Sequence, residues 1–507
     1  MKLLHPDILI LGSGFGGSLL ALILARAGKS VVMVDRSRHP RFAIGESSTP
    51  LADRTLSSMA DRYRLPELRA FCHWGSWKRE YPQLLCGKKR GFTYFDQTCR
   101  EDLTPLSFDA RRLLVSASVD DEHSDTHWLR SDVDHFLFQA AESAGVITFQ
   151  QCQYSLNLHN DEWLLTWEAD DETEVRSPFL IDATGSASGV LKRLGIPDQS
   201  DLLKTNSRSI FAHFEAVVSC ERVLRERSVN VDAFPYRCDD AAVHQVLPDG
   251  WMWQLRFDDD SLSAGFMIDQ RPESSQPPQE FTDSRGEWDW RIARSPFLAR
   301  QFKTAKIVRP ESGLQSTRRI QRLSSQAAGA NWAAITNTVG FIDPLHSTGI
   351  AHTLFSISRL ADLLLSTETT TERHSRLLEY SDTLINEIRC IDEFVEGCYE
   401  AIPSFRLWCL WGMLYFAAAT SMEQVSNKGV RPVSFLRAND ASFRDMLREA
   451  RQRLGIARRC HEANRTTAEA EFAAWLKSAI APWNHVGLFD ESCHGLYSTT
   501  AAPTDSW

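Results

Sequence analysis

The stretch DILILGSGFGGSLLALILARAGKSVVMVD, residues 7–35, decides the fold of this 507-residue chain. An apolar run of strand length leads into the glycine turn GSGFGG, an Ala- and Leu-rich helix follows, and SVVMVD reads as a second buried strand. Gly12 permits the tight turn, Gly14 lets a pyrophosphate approach the backbone, and Gly17 lets helix and strand pack closely. Asp35 ends the second strand at the spacing of a ribose hydroxyl acceptor. The stretch therefore predicts a dinucleotide-binding unit.

The composition is that of an ordinary globular protein. Hydrophobic residues make up 43% and charged residues 24% of the chain, and the formal net charge is −10 with the basic residues scattered. Nucleic-acid sites concentrate Lys and Arg on one face, so we expect no nucleic-acid partner. The eleven cysteines form no C-x-x-C pair, which predicts reduced thiols in a cytoplasmic protein and no metal site. The most apolar helical stretch, residues 408–419, is too short to span a membrane.

Two further segments favour FAD over a nicotinamide dinucleotide. DATG, residues 182–185, ends another short strand in a turn that can approach a cofactor. GFIDP places Asp343 and Pro344 just before a new helix, where the acid can hold a ribityl chain and backbone N–H groups can reach a flavin ring. No second glycine fingerprint is present for a nicotinamide cofactor, so the pattern predicts FAD.

The remaining pattern predicts an α/β fold, in which a Rossmann-type FAD-binding domain carries an inserted mixed β-sheet substrate domain and a C-terminal helical region. Residues 116–127 read as a polar loop and residues 366–374 as a linker. The predicted organisation is FAD-binding over 1–115, its continuation with a hairpin and DATG over 116–204, substrate domain over 205–310, return to the FAD-binding domain over 311–365, and helical region over 366–507.

The strand GWMWQLRF, residues 250–257, has a distinctive face. Successive side chains of a strand point to opposite sides, so Trp251, Trp253 and Leu255 share one face. Arg256 lies on the other face, where it either pairs with a carboxylate or a carrier-bound substrate or points to solvent. The tryptophan face is either a wall beside a cofactor or an ordinary core face of a sheet.

An ordered set of motifs resembles the flavin-dependent halogenases, within the aromatic-hydroxylase-like FAD-dependent monooxygenases. The likeness runs from the first strand to about residue 415 and is greatest for the branch that acts on phenolic compounds. The motifs are HPRFAIGESSTP (39–50), CGKKRGF (86–92), WLRSDVDHF (128–136), DATG (182–185), GFIDPLHSTGI (340–350) and a late helix from Cys398 to Trp408 that begins with CYEA.

The resemblance implies a reaction. A separate NAD(P)H-dependent reductase would supply reduced FAD, which forms a C4a-hydroperoxide with oxygen and oxidises chloride or bromide. The resulting hypohalous acid would pass to Lys89, which directs it to an electron-rich, phenolic ring, free or carrier-bound. The other interpretation of Lys89 is a member of a solvated charge cluster with Lys88 and Arg90.

The resemblance also implies site residues, which we assign by matching motifs. The halide would lie at the backbone of Ser347, Thr348 and Gly349, where N–H groups at the start of a helix attract anions; the alternative is an ordinary helix cap. The cofactor-binding candidates are Gly12, Gly14, Phe15, Gly16, Gly17, Asp35, Arg41, Glu46, Ser47, Arg130, Asp182, Gly185, Asp343 and Pro344.

The chain departs from the family pattern at two places. The halogenase signature W-x-W-x-I-P, taken as a wall between flavin and substrate, is represented by Trp251, Trp253 and Leu255, with Arg256 in place of proline. His346 stands where tryptophan halogenases carry a glutamate. A phenol activates its own ring, so it needs no such acid, and His346 is either a base or a hydrogen-bonding filler.

Three other functions stay open at this point. A flavin-dependent aromatic hydroxylase of the same fold would insert oxygen instead, and Arg256 and His346 are the features that favour it. A flavin reductase of the prenyl-lipid type shares the PRF..GE stretch. A flavin-binding protein without turnover is the third alternative.

Overall fold

The computed structural model describes residues 2–98, 108–167, 173–271, 281–366, 369–427, 432–498 and 500. Within these ranges its helices are α1 Phe15–Arg26, α2 Pro50–Arg62, α3 Trp74–Glu80, α4 Arg130–Ser143, α5 Gly189–Arg193, α6 Cys220–Glu226, α7 Ser284–Ala293, α8 Pro296–Gln301, α9 Thr336–Val339, α10 Thr348–Leu365, α11 Thr370–Ala401, α12 Phe405–Asn427, α13 Ala441–Arg459 and α14 Arg465–Ala479.

The strands of the same ranges are β1 Lys2–Leu4, β2 Ile8–Leu11, β3 Val31–Val34, β4 Cys86–Lys89, β5 Gly91–Asp96, β6 Arg112–Ser116, β7 Asp125–Trp128, β8 Ile147–Phe149, β9 Tyr154–His159, β10 Glu162–Trp167, β11 Thr173–Ser177, β12 Leu180–Asp182, β13 Ser207–Glu215, β14 Ala242–Leu247, β15 Gly250–Arg256, β16 Leu262–Asp269, β17 Lys306–Arg309, β18 Gln315–Ser316, β19 Arg322–Leu323, β20 Ala328–Gly329, β21 Trp332–Ala334, β22 Gly340–Phe341 and β23 Leu496–Tyr497.

A six-stranded sheet in the order β20-β21-β12-β2-β3-β8 forms the dinucleotide-binding unit, as predicted. β21, β12, β2, β3 and β8 run parallel, with residue pairs such as Ile10↔Met33 and Ile10↔Ile181. Parallel strands bury both faces, which explains why β2 and β3 are apolar throughout and entirely buried. Their carboxyl ends lie at one edge, where a doubly wound sheet binds its ligand.

A nine-stranded mixed sheet forms the second layer. Its main path is β17-β13-β16-β15-β14-β5-β6-β23, and β18 pairs with β13. The β14–β5 and β6–β23 pairs are parallel, whereas the neighbours of β15 are antiparallel. The predicted fold class is therefore confirmed: an α/β chain with a Rossmann-type sheet, an inserted mixed sheet and C-terminal helices. The predicted domain limits stay a prediction, and the large sheet also takes β5 and β6 from outside residues 205–310.

The structure corrects three local predictions. The predicted single helix from Cys398 to Trp408 is two helices, because α11 ends at Ala401 and α12 begins at Phe405. The predicted linker is helical from Thr370, because Thr369 and Glu372 form a capping box in which each side chain accepts the other's backbone N–H; residues 367–368 lie outside the described ranges. The predicted loop 116–127 ends in β7, which begins at Asp125 and is buried because it pairs with β4. Among the described helices, none is both long and apolar enough to cross a bilayer.

Candidate active site

A cavity of about 780 Å³ opens where the dinucleotide-binding sheet meets the mixed sheet. Its volume is typical of a site for a large cofactor. The predicted site residues on its surface are Gly12, Gly14, Phe15, Gly16, Gly17, Asp35, Arg41, Glu46, Ser47, Arg130, Gly185, Trp251, Trp253, Leu255, Asp343, Pro344, Ser347, Thr348 and Gly349. Asp182, His346 and Lys89 are not on this surface.

The glycine turn is shaped for close backbone packing. Gly12 has a φ of +99°, and a Cβ there would lie 2.3 Å from the carbonyl oxygen of Ala183. A Cβ on Gly17 would lie 2.0 Å from the Gly12 carbonyl oxygen. A Cβ on Gly14 would meet only side-chain atoms at ordinary contact distance, the nearest at 3.6 Å, so this glycine leaves room at the cavity rather than preventing a clash. These are the three roles that a dinucleotide fingerprint requires.

Two ionic contacts hold the loops of the cavity. Asp35 accepts hydrogen bonds from the backbone N–H groups of Ser13, at 2.7 Å, and Ser37, at 2.8 Å. Burial alone would raise the pKa of the Asp35 carboxyl, but these donors together with Arg41 bring it below its ordinary value, so the group is ionised. The Arg130 guanidinium makes the second contact. It donates to both carboxylate oxygens of Asp134 in α4 and to the carbonyl oxygens of Ile44 and Gly45.

The two tryptophans of β15 face the cavity, as the strand alternation predicts. Trp251 donates from its indole N–H to Asp343 Oδ1 at 3.2 Å, and Tyr399 and Ser207 donate to Asp343 Oδ2 at 2.7 and 2.9 Å. Burial raises the pKa of Asp343 to about 6 despite these donors. Trp253 donates to the hydroxyl of Ser263 in β16, and this hydroxyl donates to Glu46. Both tryptophans are therefore fixed by hydrogen bonds.

Arg256 lies on the opposite side of β15 from this wall. Its guanidinium donates to the carbonyl oxygen of Val217 at 3.2 Å and stands 4.0 Å from Asp239. Of the open interpretations, pairing with a carboxylate is the one the geometry bears out. The carbonyl oxygen of Arg256 also packs on Gly87, where a Cβ would lie only 2.0 Å away, so the end of the wall supports the strand that carries Lys89.

Lys89 is completely buried and lies behind the cavity surface rather than on it. Its ammonium donates to the carbonyl oxygen of Ser48 and lies 4.2 Å from the centre of the Phe92 ring. Burial lowers the pKa of Lys89 to about 8, with the carboxyls of Asp125 and Asp53 opposing this fall. The interpretation of Lys89 as a solvated surface charge is therefore wrong; that description fits Lys88, which pairs with the exposed Asp121.

A second cavity of about 20 Å³ lies near Lys89, since Phe92, whose ring the ammonium contacts, is part of its lining. Its residues are mainly apolar and aromatic, and it has room for about one water molecule. The segment 46–50 joins the two cavities: Glu46 and Ser47 line the large one, Ser48 accepts from Lys89, and residues 49 and 50 line the small one. The lining is Thr49, Pro50, Leu51, Phe92, Val115, Ala117, Tyr415, Phe416, Ala419, Thr420, Glu423 and Thr500.

His346 and Asp182 serve the framework around the cavities. His346 stacks on Tyr415 with ring centres 4.4 Å apart, and burial together with His244 lowers its pKa to about 3. It is therefore neutral at pH 7. Asp182 accepts from the backbone N–H of Thr184 at 3.0 Å and that of Val190 at 3.1 Å, so it ties down the turn whose next residues line the large cavity.

Sequence reasoning missed His352 and its partner. His352 lines the large cavity, and its Nε2 lies 3.0 Å from the carboxylate of Glu387 in α11. The same carboxylate accepts two hydrogen bonds from Arg359. Histidine and glutamate are 35 positions apart in ordinary helical sequence, so no local motif marks the pair. Asp53 and Asp125, which approach Lys89 from two other elements, were missed for the same reason.

The start of α10 completes the large cavity. Ser347 has a φ of +52° and is the N-cap of α10, whose first residues Thr348 and Gly349 line the cavity. A Cβ on Gly349 would meet no described atom within 4 Å, so the backbone at this position is not closely packed. Glycines that leave room for a pyrophosphate, an ionised acid at the ribose position and a long, half-apolar cavity together fit a bound FAD.

Comparison with known proteins supports the geometry. The family model described as tryptophan halogenase matches residues 126–404, and an FAD binding domain model matches residues 5–236. Two relatives are 28% identical: the monodechloroaminopyrrolnitrin halogenase PrnC of Pseudomonas fluorescens, over 80% of this chain and 69% of that protein, and the tetracycline 7-halogenase of Kitasatospora aureofaciens, over 79% and 71%. The cofactor of this chain is accordingly FAD, as predicted.

Solved structures show the same fold. The crystal structure of halogenase PltM in complex with phloroglucinol and FAD superposes with a TM-score of 0.82 over 98% of this chain and 99% of that chain, at 23% sequence identity. A flavin-dependent brominase, Bmp2, superposes with a TM-score of 0.58 over 94% and 98%, at 19% identity. The tryptophan halogenase model covers more than half of the 507 residues, so the chain belongs to that family and is an FAD-dependent halogenase.

Proposed function

We propose that this protein halogenates an electron-rich phenolic ring, with Lys89 passing a hypohalous acid from the flavin cavity to the substrate. The observation that carries the proposal is the set of contacts of the fully buried Lys89: its ammonium donates to Ser48, next to Ser47 of the cofactor-sized cavity, and lies against Phe92 of the small aromatic cavity. Burial of a charged group raises the free energy of the folded protein unless the group is paired and hydrogen-bonded. A lysine with no access to solvent is therefore suited to guiding a reactive molecule that must not escape.

The large cavity would hold FAD along the glycine turn, Asp35 and Arg130. Bound reduced FAD supplies, with oxygen, the oxidising power that turns chloride or bromide into hypohalous acid. The start of α10 would hold the halide, because the N–H groups at a helix start carry a partial positive charge and the first two residues of α10, Thr348 and Gly349, line the cavity. Trp251 and Trp253 would separate this compartment from the substrate and keep bulk water out.

Lys89 would receive the hypohalous acid past the segment 46–48. Glu46 and Ser47 of this segment line the large cavity, and the Ser48 carbonyl accepts from Lys89. Its ammonium donates a hydrogen bond to the oxygen of the acid, which makes the halogen more electrophilic. Phe92, whose ring lies against the ammonium, also lines the small cavity. Since that cavity holds about one water, an aromatic substrate requires Tyr415 and Phe416 of α12 to turn aside.

A phenolic substrate agrees with the neutral histidine at position 346. His346 occupies the position of the glutamate of tryptophan halogenases and is kept uncharged by burial. A ring that needs no external carboxylate, because its own hydroxyl stabilises the cation, suits such surroundings. The phloroglucinol complex of PltM, which has the same fold, supports the same substrate class. The ring is either free or tethered to a carrier protein, and a separate flavin reductase supplies the reduced cofactor.

The test is a turnover assay with FAD, a separate flavin reductase, NADH, oxygen, and chloride or bromide, run on a panel of simple phenols. Product masses are read for wild type, Lys89→Met and Lys88→Met, the matched control on the outward side of the same strand. We expect a halogen isotope pattern in wild type and Lys88→Met that is lost in Lys89→Met. Oxygen addition without halogen, equal in all three proteins, would instead identify a hydroxylase.

A further inference from the structure

Lys89 is accompanied by two buried carboxyl groups that the halogenation step described above does not use. β4 pairs with β7 so that Lys89 lies directly opposite Asp125, and their charged atoms are 3.9 Å apart. Asp53 comes from the first turn of α2 and is likewise buried. The Ser48 hydroxyl donates to Asp53 Oδ1 at 2.8 Å, while the Ser48 carbonyl accepts from Lys89. Three ionisable groups thus form one cluster that is buried from solvent.

Asp53 and β7, which carries Asp125, are both held by Ser48, whose hydroxyl donates to Asp53 and whose backbone N–H donates to the Thr126 carbonyl oxygen, and each carboxyl influences the pKa of the other. Oδ2 of Asp53 and Oδ2 of Asp125 are both buried, and neither accepts a hydrogen bond from the residues that the structure describes. Two carboxylates cannot hydrogen-bond to one another, whereas one proton held between them supplies the missing donor, and like charges in such a pair favour this state. Burial and mutual repulsion raise the pKa of Asp53, and burial raises that of Asp125 although Lys89 opposes it.

Of the other titratable or charged groups near the cluster, four are neutral and one, Arg54 of α2, adds a positive charge that favours the carboxylate form of Asp125. Burial lowers the pKa values of His127 and His244 to about 3, so both are neutral. Burial raises the pKa values of Cys72 and Tyr415, which are therefore neutral as well. One ammonium, one carboxylate and one protonated carboxyl is then the charge-balanced state of the cluster itself.

We propose that Asp53 and Asp125 share one proton and act as positioning residues for Lys89, holding it as an ammonium between the two cavities and restoring its proton during halogen transfer. The inference rests on the proposed role of Lys89. As the carbon–halogen bond forms and the oxygen–halogen bond breaks, the leaving oxygen takes a proton from the ammonium and becomes water. The shared proton of the pair recharges the amine, and the proton lost from the ring carbon returns to the pair, so the sum is ArH + HOX → ArX + H₂O.

The variants are Asp53→Asn, Asp125→Asn and, as the matched control, Asp121→Asn, which removes one of the carboxylate partners of the neighbouring Lys88. The direct readout is infrared difference spectroscopy of the isolated protein at pH 7. Wild type minus Asp53→Asn and wild type minus Asp125→Asn should each show the carbonyl stretch of a protonated carboxylic acid, and wild type minus Asp121→Asn should not. Wild type labelled with ¹³C-aspartate provides the same test for a variant that fails to fold, because the band must shift with the label.

The second readout is the pH profile of halogenation. Asp125→Asn removes the charge that favours the ammonium, so the decline in rate at high pH should move down by about one pH unit or more. Asp53→Asn keeps a donor but cannot release a proton, so kcat should fall at least about tenfold with little change in KM. Asp121→Asn should match wild type in both respects.

The outcomes separate the two proposals. Absence of the carboxylic acid band in both difference spectra overturns the shared proton, and an unchanged profile in Asp125→Asn overturns the positioning of Lys89. A wild-type protein that halogenates none of the phenols overturns the proposed substrate class. The infrared band then still decides whether the pair holds a proton.

Discussion

Glu387 offers the most quantitative test of how the flavin cavity is supported. It is fully buried in α11, accepts hydrogen bonds from Arg359 at 2.6 and 2.9 Å and from the backbone N–H of Phe435 at 2.6 Å, and lies 3.0 Å from His352. Helix α10, through Arg359 and His352, and the segment at Phe435 therefore both meet the carboxylate of α11. We predict that Glu387→Gln, which keeps the shape and removes the charge, destabilises the protein and loosens FAD.

The magnitude follows from the surroundings of the carboxylate. Burial alone would raise the pKa of Glu387, but Arg359 and His352 outweigh it and lower the pKa from about 4.5 to about 2. At about 1.4 kcal/mol per pH unit, this difference corresponds to about 3 kcal/mol of stability at pH 7. Breaking a buried ion pair by removal of one partner costs about 3–5 kcal/mol in general, which agrees.

The sign of the pH dependence follows from the lowered pKa. The stabilisation is complete above the unfolded pKa of about 4.5 and is lost as the pH falls through the folded pKa of about 2. Urea denaturation of wild type, Glu387→Gln and the exposed control Glu379→Gln, which lies on the same helix, would measure it. We expect a free-energy difference of about 3 kcal/mol for Glu387→Gln at pH 7 and pH 5 and less than half of it at pH 3. A cost below about 1 kcal/mol at pH 7, or a difference equal at pH 7 and pH 3, would refute the reasoning.

Three further predictions concern the cavity itself. Gly12→Ala should lower both the melting temperature of the apoprotein and its affinity for FAD, because the added Cβ would lie 2.3 Å from the Ala183 carbonyl oxygen. Gly14→Ala should lower FAD affinity alone. Flavin titration and thermal melting measure the two effects, and equal melting temperatures for the two variants would contradict the prediction. Gly349→Ala meets no atom within 4 Å, so it should fold and bind FAD while the KM for chloride rises, and an unchanged KM would argue against the halide site at α10. Arg256→Ala should leave the ratio of halogenated to hydroxylated product unchanged in mass spectrometry, since its side chain faces Val217 and Asp239; a shift toward hydroxylation would show that this arginine acts on the wall after all.

The sequence by itself determined the dinucleotide-binding unit and most of the large cavity. The glycine spacing, the apolar runs of β2 and β3 and the terminal Asp35 are local patterns, and their physical causes act over a few residues: a tight turn, a strand buried on both faces, a helix start. The alternation in β15 likewise predicted which face the two tryptophans share. The Thr369–Glu372 capping box was equally local, and missing it misplaced the start of α11.

Only the tertiary structure decided how the charged groups are partnered. The surroundings of Lys89 are assembled from β4, β7, α2 and the segment before α2, and no spacing in the sequence relates Lys89 to Asp53 or Asp125. The carboxylate of Glu387 reaches His352 across two helices in the same way. The protonation of a buried group depends on the solvent it has lost and on charges brought near it by packing, so its chemistry is fixed when the sheets and helices come together.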